Sequence, residues 1–375
     1  MWKVPLFKIY HESKDIQQIK NVLERRSDWA IGEEINKFES IIAKYIGVKY
    51  AAVFNSGTSA LHSILLAYGI TKNCNVAVPS FTFISTANAS LFVGAKPVFV
   101  DIEEKSLGMD PLHLKEIISK QKIDVIIPVH YSGEPCKIHE IVKIGKKNKI
   151  PVIEDAAEAF GAKKDKQKIG TFGDSAMFSF AQNKIITTGE GGAIVTNSKK
   201  IYEKLLLVRS HGRVDKIDYF TNANSSTYIE LGYNFRMPTM MAALGIAQMK
   251  HLKKIIQLRK NIAKTYSKEF SQISDIITPN PKNNSEHVYQ LYSIRIKNGR
   301  RNALMKHLKN KGIMSKIYFE PIHLTPFYIK NIKFKKDHLT ITNKISEEIL
   351  SLPIYPNMNK KEQRSIIKEV KRFFE

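Results

Sequence analysis

The sequence predicts an α/β protein: a large domain with a mostly parallel sheet covered by helices, followed by a smaller α+β domain. Three observations predict it. Short β-rich runs at 76–78, 97–100, 125–129 and 152–153 are each separated by helical or turn segments. Strands that alternate with helices form parallel sheets buried on both faces. The pattern changes after about Met240, and the 375-residue length exceeds what one compact core usually holds.

Taken in order, the elements are legible from their periodicity. Ile16, Ile19, Val22 and Leu23 recur at helical spacing, as do Ile35, Phe38, Ile41, Ile42 and Tyr45. The apolar run 50–54 is a strand that stops at Asn55-Ser56-Gly57, and Leu61, Ile64, Leu65 and Tyr68 mark the next helix. A long helix runs from Ala242 through Ile262 into Tyr266. Residues 288–296 alternate as a strand, 280–285 form a polar loop, and helices near 301–309 and 361–374 complete the α+β region. The boundary falls inside the long helix, with 1–250 in the large domain and 251–375 in the small one.

Composition narrows the function. Hydrophobic residues make up 43 % of the chain and charged residues 25 %, which excludes a disordered or collagen-like polymer. Lys plus Arg is 59 against 35 for Asp plus Glu, a formal +24, and this favours anionic substrates or partners. The lysines are scattered in pairs: Lys163 with Lys164, Lys199 with Lys200, Lys253 with Lys254, Lys335 with Lys336. They form no tract and no aromatic-interleaved stripe, so they read as a Lys-rich surface rather than a nucleic-acid site. Cys74 and Cys136 have no metal-ligand spacing and allow one disulfide at most. The first residues lack a signal peptide's apolar core, and no apolar stretch reaches the length of a membrane span. The expectation is a cytoplasmic protein with no metal, membrane or nucleic-acid partner.

Four segments carry chemistry. Asn55-Ser56-Gly57-Thr58-Ser59-Ala60-Leu61 joins a strand to a helix. Its glycine permits close approach of a ligand, the helix start offers N–H groups to an anion, and Thr58 and Ser59 add hydroxyls; a plain N-cap would read the same way. Val152-Ile153-Glu154-Asp155-Ala156-Ala157-Glu158 ends a strand in carboxylates, where ligands of open α/β sheets gather, or where Asp155 simply caps a helix. Between Phe178 and Gly192 lies one lysine, Lys184, among apolar or small uncharged neighbours. An amine in such a cleft loses its proton more readily and becomes a nucleophile. Leu231-Gly232-Tyr233-Asn234-Phe235-Arg236-Met237-Pro238 sets polar and aromatic residues ahead of the long helix.

Together with Val78-Pro79-Ser80-Phe81-Thr82-Phe83 and Arg209-Ser210-His211-Gly212, these segments resemble, in order and spacing, the DegT/DnrJ/StrS family of sugar aminotransferases. The resemblance covers nearly the whole chain. It implies the aspartate-aminotransferase fold (PLP fold type I), with a seven-stranded sheet and an N-terminal segment packed on the small domain. It also implies pyridoxal 5'-phosphate as cofactor, with Lys184 as its Schiff-base partner and general acid/base. Asp155 is then expected at the pyridine nitrogen and Glu158 at the phenolic oxygen, where many members have Gln. Phe83 is expected over the ring, and Gly57, Thr58 and Ser179 at the phosphate. Asn234 is expected to reach the phosphate from a neighbouring subunit, in a homodimer with shared sites.

The turn from Lys184 to Gly192 resembles members that transfer an amino group from glutamate to C4 of a nucleotide-linked 4-keto-6-deoxy sugar. A C3-sugar or cyclitol-ketone aminotransferase is the alternative among enzymes. A fold-retaining regulatory or nucleic-acid-binding protein is the alternative outside them. The chain departs from the family at Glu134, where Gln is usual, and at Cys136-Lys137. Tyr318, His323 and Tyr355 are candidates for the sugar pocket, with a core or interface role for each equally open.

Overall fold

A computed structural model describes residues 2–214, 227–281, 284–332 and 339–375. Lys335 with Lys336, and two residues of the 280–285 loop, lie outside the described residues.

Seven strands build the large sheet: β1 (Tyr50–Phe54), β2 (Asn75–Pro79), β3 (Lys96–Val100), β4 (Val125–Ile126), β5 (Ile153–Asp155), β6 (Ser175–Ser179) and β7 (Gly192–Thr196). Two ladders, β1-β7-β6-β5 and β3-β2-β4, are joined by parallel bridges from Ile126 to Val152 and from Val129 to Asp155. The spatial order is therefore β1-β7-β6-β5-β4-β2-β3. Only β7 runs antiparallel to its neighbours. Every residue of β5, β6 and β7 is buried, which is why these strands read as short apolar runs without alternation.

Helices cover both faces. On one side α1 (Ser13–Glu24), α2 (Glu33–Ile46) and the 32-residue α8 (Thr239–Phe270) stack together. Phe38 and Ile42 of α2 pack there against Phe178, Phe180 and Val195. A Cβ at Gly245 would lie 2.4 Å from the Phe38 ring, so this crossing requires glycine. On the other side α3 (Gly57–Ala67), α4 (Ser85–Phe92) and α7 (Lys199–Arg209) bury Leu61, Ile64, Ala87 and Leu205 against Val76, Val78 and Ile194. Farther along the sheet, α5 (Pro111–Lys120) and α6 (Ile138–Asn148) bury Leu114, Ile117 and Ile141.

Helix α8 runs unbroken through position 250. Its last turns carry Ile262, Ala263, Tyr266 and Phe270 into a separate core under a three-stranded antiparallel sheet. That sheet consists of β8 (Ile276–Ile277), β9 (Tyr292–Ile296) and β10 (Ile349–Leu352), in the order β8-β9-β10. The N-terminal segment lies on this region: Val4 bridges to Ile313, and the Ile354 N–H donates to the Leu6 carbonyl.

The strand expected over 288–296 begins only at Tyr292. Tyr289 has φ 53°, which no strand accommodates. The Val288 and Leu291 N–H groups donate instead to the carbonyls of Gly133 and Ser132. This tie fixes the small sheet to the turn beside β5, next to the site. Both cysteines are free. Among the described residues no helix is long and apolar enough to cross a membrane.

Candidate active site

The carboxyl ends of β1, β5 and β6 meet at one cavity of about 360 Å³. Gly57, Thr58, Phe83, Asp155, Glu158, Ser179, Lys184 and Tyr318 all line it. Residues up to 261 positions apart in sequence thus converge where the sheet topology places a ligand.

The β1–α3 turn is held by its own cap. Ser56 adopts extended φ/ψ and accepts the Ser59 N–H at 3.0 Å. The first N–H groups of α3 have no partner within the helix and face an incoming anion. A Cβ at Gly57 would come within 3.2 Å of the Ser179 Cβ, so the glycine keeps the cradle open against the end of β6. Thr58 Oγ1 is 2.9 Å from Ser85 Oγ. Ser59, expected among the cofactor contacts, is turned away: its hydroxyl donates to Asn55 Oδ1 at 2.6 Å and it does not line the cavity. The capping box consumes that hydroxyl.

Asp155 ends β5 and is buried. Its carboxylate accepts from the Thr86 hydroxyl (2.8 Å) and the Ala157 N–H (3.1 Å), both neutral donors. Burial pushes its pKa up, against those hydrogen bonds and the fields of Lys184 and His130. A buried carboxylate with no cation at ion-pair distance among the described residues is complementary to a protonated ring nitrogen. Glu158 lies one turn on. It accepts the Ser132 N–H at 2.7 Å, and its Oε1 lies 3.7 Å from Lys184 Nζ. Burial raises its pKa too, and Asp155 adds to the rise while Lys184 and Ser132 oppose it.

Lys184 follows β6 in a tight turn closed by its N–H to the Ala181 carbonyl at 2.9 Å. The carbonyl of the preceding Asn183 accepts from Gln290 at 2.5 Å, which ties the lysine loop to the small region. Phe83 is 58 % exposed, with its ring 6.1 Å from that of Phe319 across the mouth. It presents a bare aromatic face of the kind on which planar rings stack. Anion cradle, buried carboxylates, amine and open aromatic face together fit pyridoxal phosphate.

Other expected residues are placed elsewhere. His323 is buried, with Nδ1 2.7 Å from Ser80 Oγ and its ring beside Phe99, so it belongs to the packing behind β2 and β3 rather than to the cavity wall. Tyr355 is buried beneath the Lys8 ammonium and also lies outside the cavity. Asn234 is exposed and does not line this chain's own cavity; its carbonyl accepts from Asn55 at 3.3 Å. Glu134, Cys136 and Lys137 border a different cleft. Reading by segment missed Thr86, Ser132 and Lys316, which reach the site through tertiary contacts. Only Thr86 had a local signal, as a hydroxyl three residues past Phe83.

Comparison with known proteins agrees with this geometry. Residues 10–371 match the DegT/DnrJ/EryC1/StrS aminotransferase family. GDP-perosamine synthase of Escherichia coli O157:H7 is 32 % identical, over 99 % of this chain and 98 % of that one. The UDP-4-amino-4,6-dideoxy-N-acetyl-beta-L-altrosamine transaminase of Campylobacter jejuni is 34 % identical, over 96 % and 98 %. The Streptococcus pneumoniae protein Spr1654, solved in its PLP-form, superposes with a TM-score of 0.91 at 25 % identity, over 98 % of each chain. This chain belongs to the DegT/DnrJ/EryC1/StrS aminotransferase family, has the PLP fold type I of its sugar aminotransferases, and uses pyridoxal phosphate as its cofactor.

Proposed function

We propose that this protein transfers an amino group from glutamate to C4 of a nucleotide-linked 4-keto-6-deoxy sugar, working in the cytoplasm as a homodimer with shared active sites. The observation that carries this reading is the convergence of Lys184, Glu158 and Asp155 on one cavity beside the Gly57 cradle. The C4 assignment draws support from the Lys184–Gly192 turn and from a relative whose name describes a 4-amino-4,6-dideoxy sugar.

Pyridoxal phosphate, when bound, supplies an electron sink for the bond being broken at the amine-bearing carbon. The N–H groups at the start of α3, with Thr58 and Ser179, would hold its phosphate. Asp155 would hold the proton on its ring nitrogen, and Phe83 would cover its face. Lys184 Nζ would join the cofactor covalently and, as a free amine, would move the proton at the substrate's amine-bearing carbon. Glu158, 3.7 Å away and shielded from water, is placed to hold a proton opposite that amine. Phe83 and Phe319 both line the cavity, their rings 6.1 Å apart. Asn234, exposed on its own chain, is free to enter the partner's site in the proposed dimer.

The test is a panel of GDP-, UDP- and dTDP-linked 4-keto-6-deoxy sugars assayed with glutamate, with the new amine located by NMR. A 4-amino product that disappears in Lys184→Ala is expected. An amine placed at C3, or turnover that survives Lys184→Ala, would overturn the reading.

A further inference from the structure

The cavity around Lys184 has to admit two different anions in turn. Glutamate brings carboxylates, and a nucleotide-linked sugar brings a diphosphate. The carboxyl groups of Asp155, Glu158 and Glu190 line the wall and attract neither anion. Among the described lining residues only Lys184 and Lys316 are cations. Lys184 is the reacting amine and cannot serve as a standing counter-charge, which leaves Lys316.

Lys316 is exposed at the cavity wall, and three features distinguish it from the other lysines of this chain. Its backbone is locked: its N–H donates to the Ser351 carbonyl at 3.1 Å, and the Ser351 N–H returns to its carbonyl at 2.8 Å. Its ammonium sits 4.8 Å from the centroid of the Tyr318 ring, a seat that orients a cation without neutralising it. No carboxylate among the described residues pairs with it. Tyr318 lines the same cavity, as does Asn183, the residue before Lys184. An ammonium with no carboxylate partner among the described residues is therefore held at the wall of the reaction cavity, on a backbone fixed by the small sheet.

We propose that Lys316 is the anion-binding residue of both half-reactions: it meets a carboxylate of the amino donor in the first and the diphosphate of the sugar nucleotide in the second. The inference rests on the substrate reading above. A charge-assisted hydrogen bond to carboxylate or phosphate oxygens is the strong kind. One cation serves two ligands because they occupy the cavity at different times.

The experiment uses the full-length, cofactor-loaded enzyme with Lys316→Met and Lys316→Arg. The first half-reaction is followed through cofactor absorbance on titration with glutamate alone, without any sugar. The second ligand is probed by calorimetric binding of GDP and UDP. Lys316→Met is expected to raise the half-saturating glutamate concentration and weaken nucleoside diphosphate binding, each by about tenfold. Its resting absorbance and its limiting rate at saturating glutamate should stay near wild type, and Lys316→Arg should restore both affinities. Unchanged affinities in Lys316→Met would overturn the proposal, and an effect confined to one ligand would overturn the shared role. If the wild type reacts with glutamate yet aminates no 4-keto sugar, the substrate reading fails by itself, because the glutamate titration does not depend on it.

Discussion

The hydroxyl of Thr86 donates to Oδ2 of Asp155 at 2.8 Å, and Thr82 Oγ1 stands 3.1 Å behind it. This bond is one of two that hold a buried carboxylate whose ionised form burial opposes. Removing it with the near-isosteric Thr86→Val should push the Asp155 pKa higher and loosen its aim at the ring nitrogen. We expect cofactor affinity to fall by about 1.5–3 kcal/mol, the worth of a hydrogen bond to a charged group. Cofactor titration followed by fluorescence checks this, and melting of the apo protein should barely change.

Glu158 makes a prediction about pH. Its folded pKa lies above the unfolded value of 4.5, chiefly because of burial. In that window the folded state binds more protons than the unfolded state, so stability falls as pH rises from the unfolded value through the folded one. This is the reverse of a salt-bridged carboxylate. Glu158→Gln removes the titration while its amide can keep the Ser132 bond as acceptor. The apo variant should be more stable than wild type at pH 8 and show a smaller difference near pH 4.5. Urea unfolding of both proteins at the two pH values measures it, and a larger loss of stability at pH 8 in the variant would contradict the argument.

The large sheet could be anticipated because strands buried on both faces leave short apolar runs between helical periods, as at 76–78 and 152–153. The reversed direction of β7 leaves no such trace, since its five buried residues would read alike in either orientation. Lys184 and Asp155 were legible because each sits in a motif continuous in sequence. Ser132 and Lys316 were not, because what places them is a contact with a distant element: Glu158 for one, Ser351 for the other. His323 misled for the same reason. Its partner Ser80 lies 243 residues away, and that bond draws the imidazole into the packing behind the sheet.

Gly57 tests the phosphate cradle. Its φ does not require glycine, so the constraint is space. In Gly57→Ala the new methyl would sit 3.2 Å from Ser179 Cβ and 3.3 Å from its Oγ. The serine hydroxyl must move, and the cradle narrows. We expect the fold to survive and cofactor affinity to drop by roughly tenfold or more, the scale of a lost charge-assisted hydrogen bond. The dissociation constant for the cofactor is the readout, with circular dichroism to verify the fold.

The tie between Gln290 and the Asn183 carbonyl should matter to rate more than to binding. Gln290 and Tyr289 offer their own carbonyls to the buried guanidinium of Arg259, at 3.2 and 3.0 Å, and Ile354 offers a third at 3.3 Å. Burial pulls the Arg259 pKa down to about 10, so it remains charged at neutral pH and holds this turn firmly. Gln290 in turn grips the residue before Lys184 from outside the cofactor's cavity. Gln290→Met keeps the volume and removes the grip. The lysine loop should then sample more positions, and a misplaced amine lowers the rate steeply because the reaction depends on near-attack geometry. We expect kcat to fall by about tenfold to a hundredfold, with the cofactor dissociation constant and the KM for glutamate close to wild type. A variant that loses cofactor while keeping its rate per bound cofactor would show that Gln290 serves binding instead.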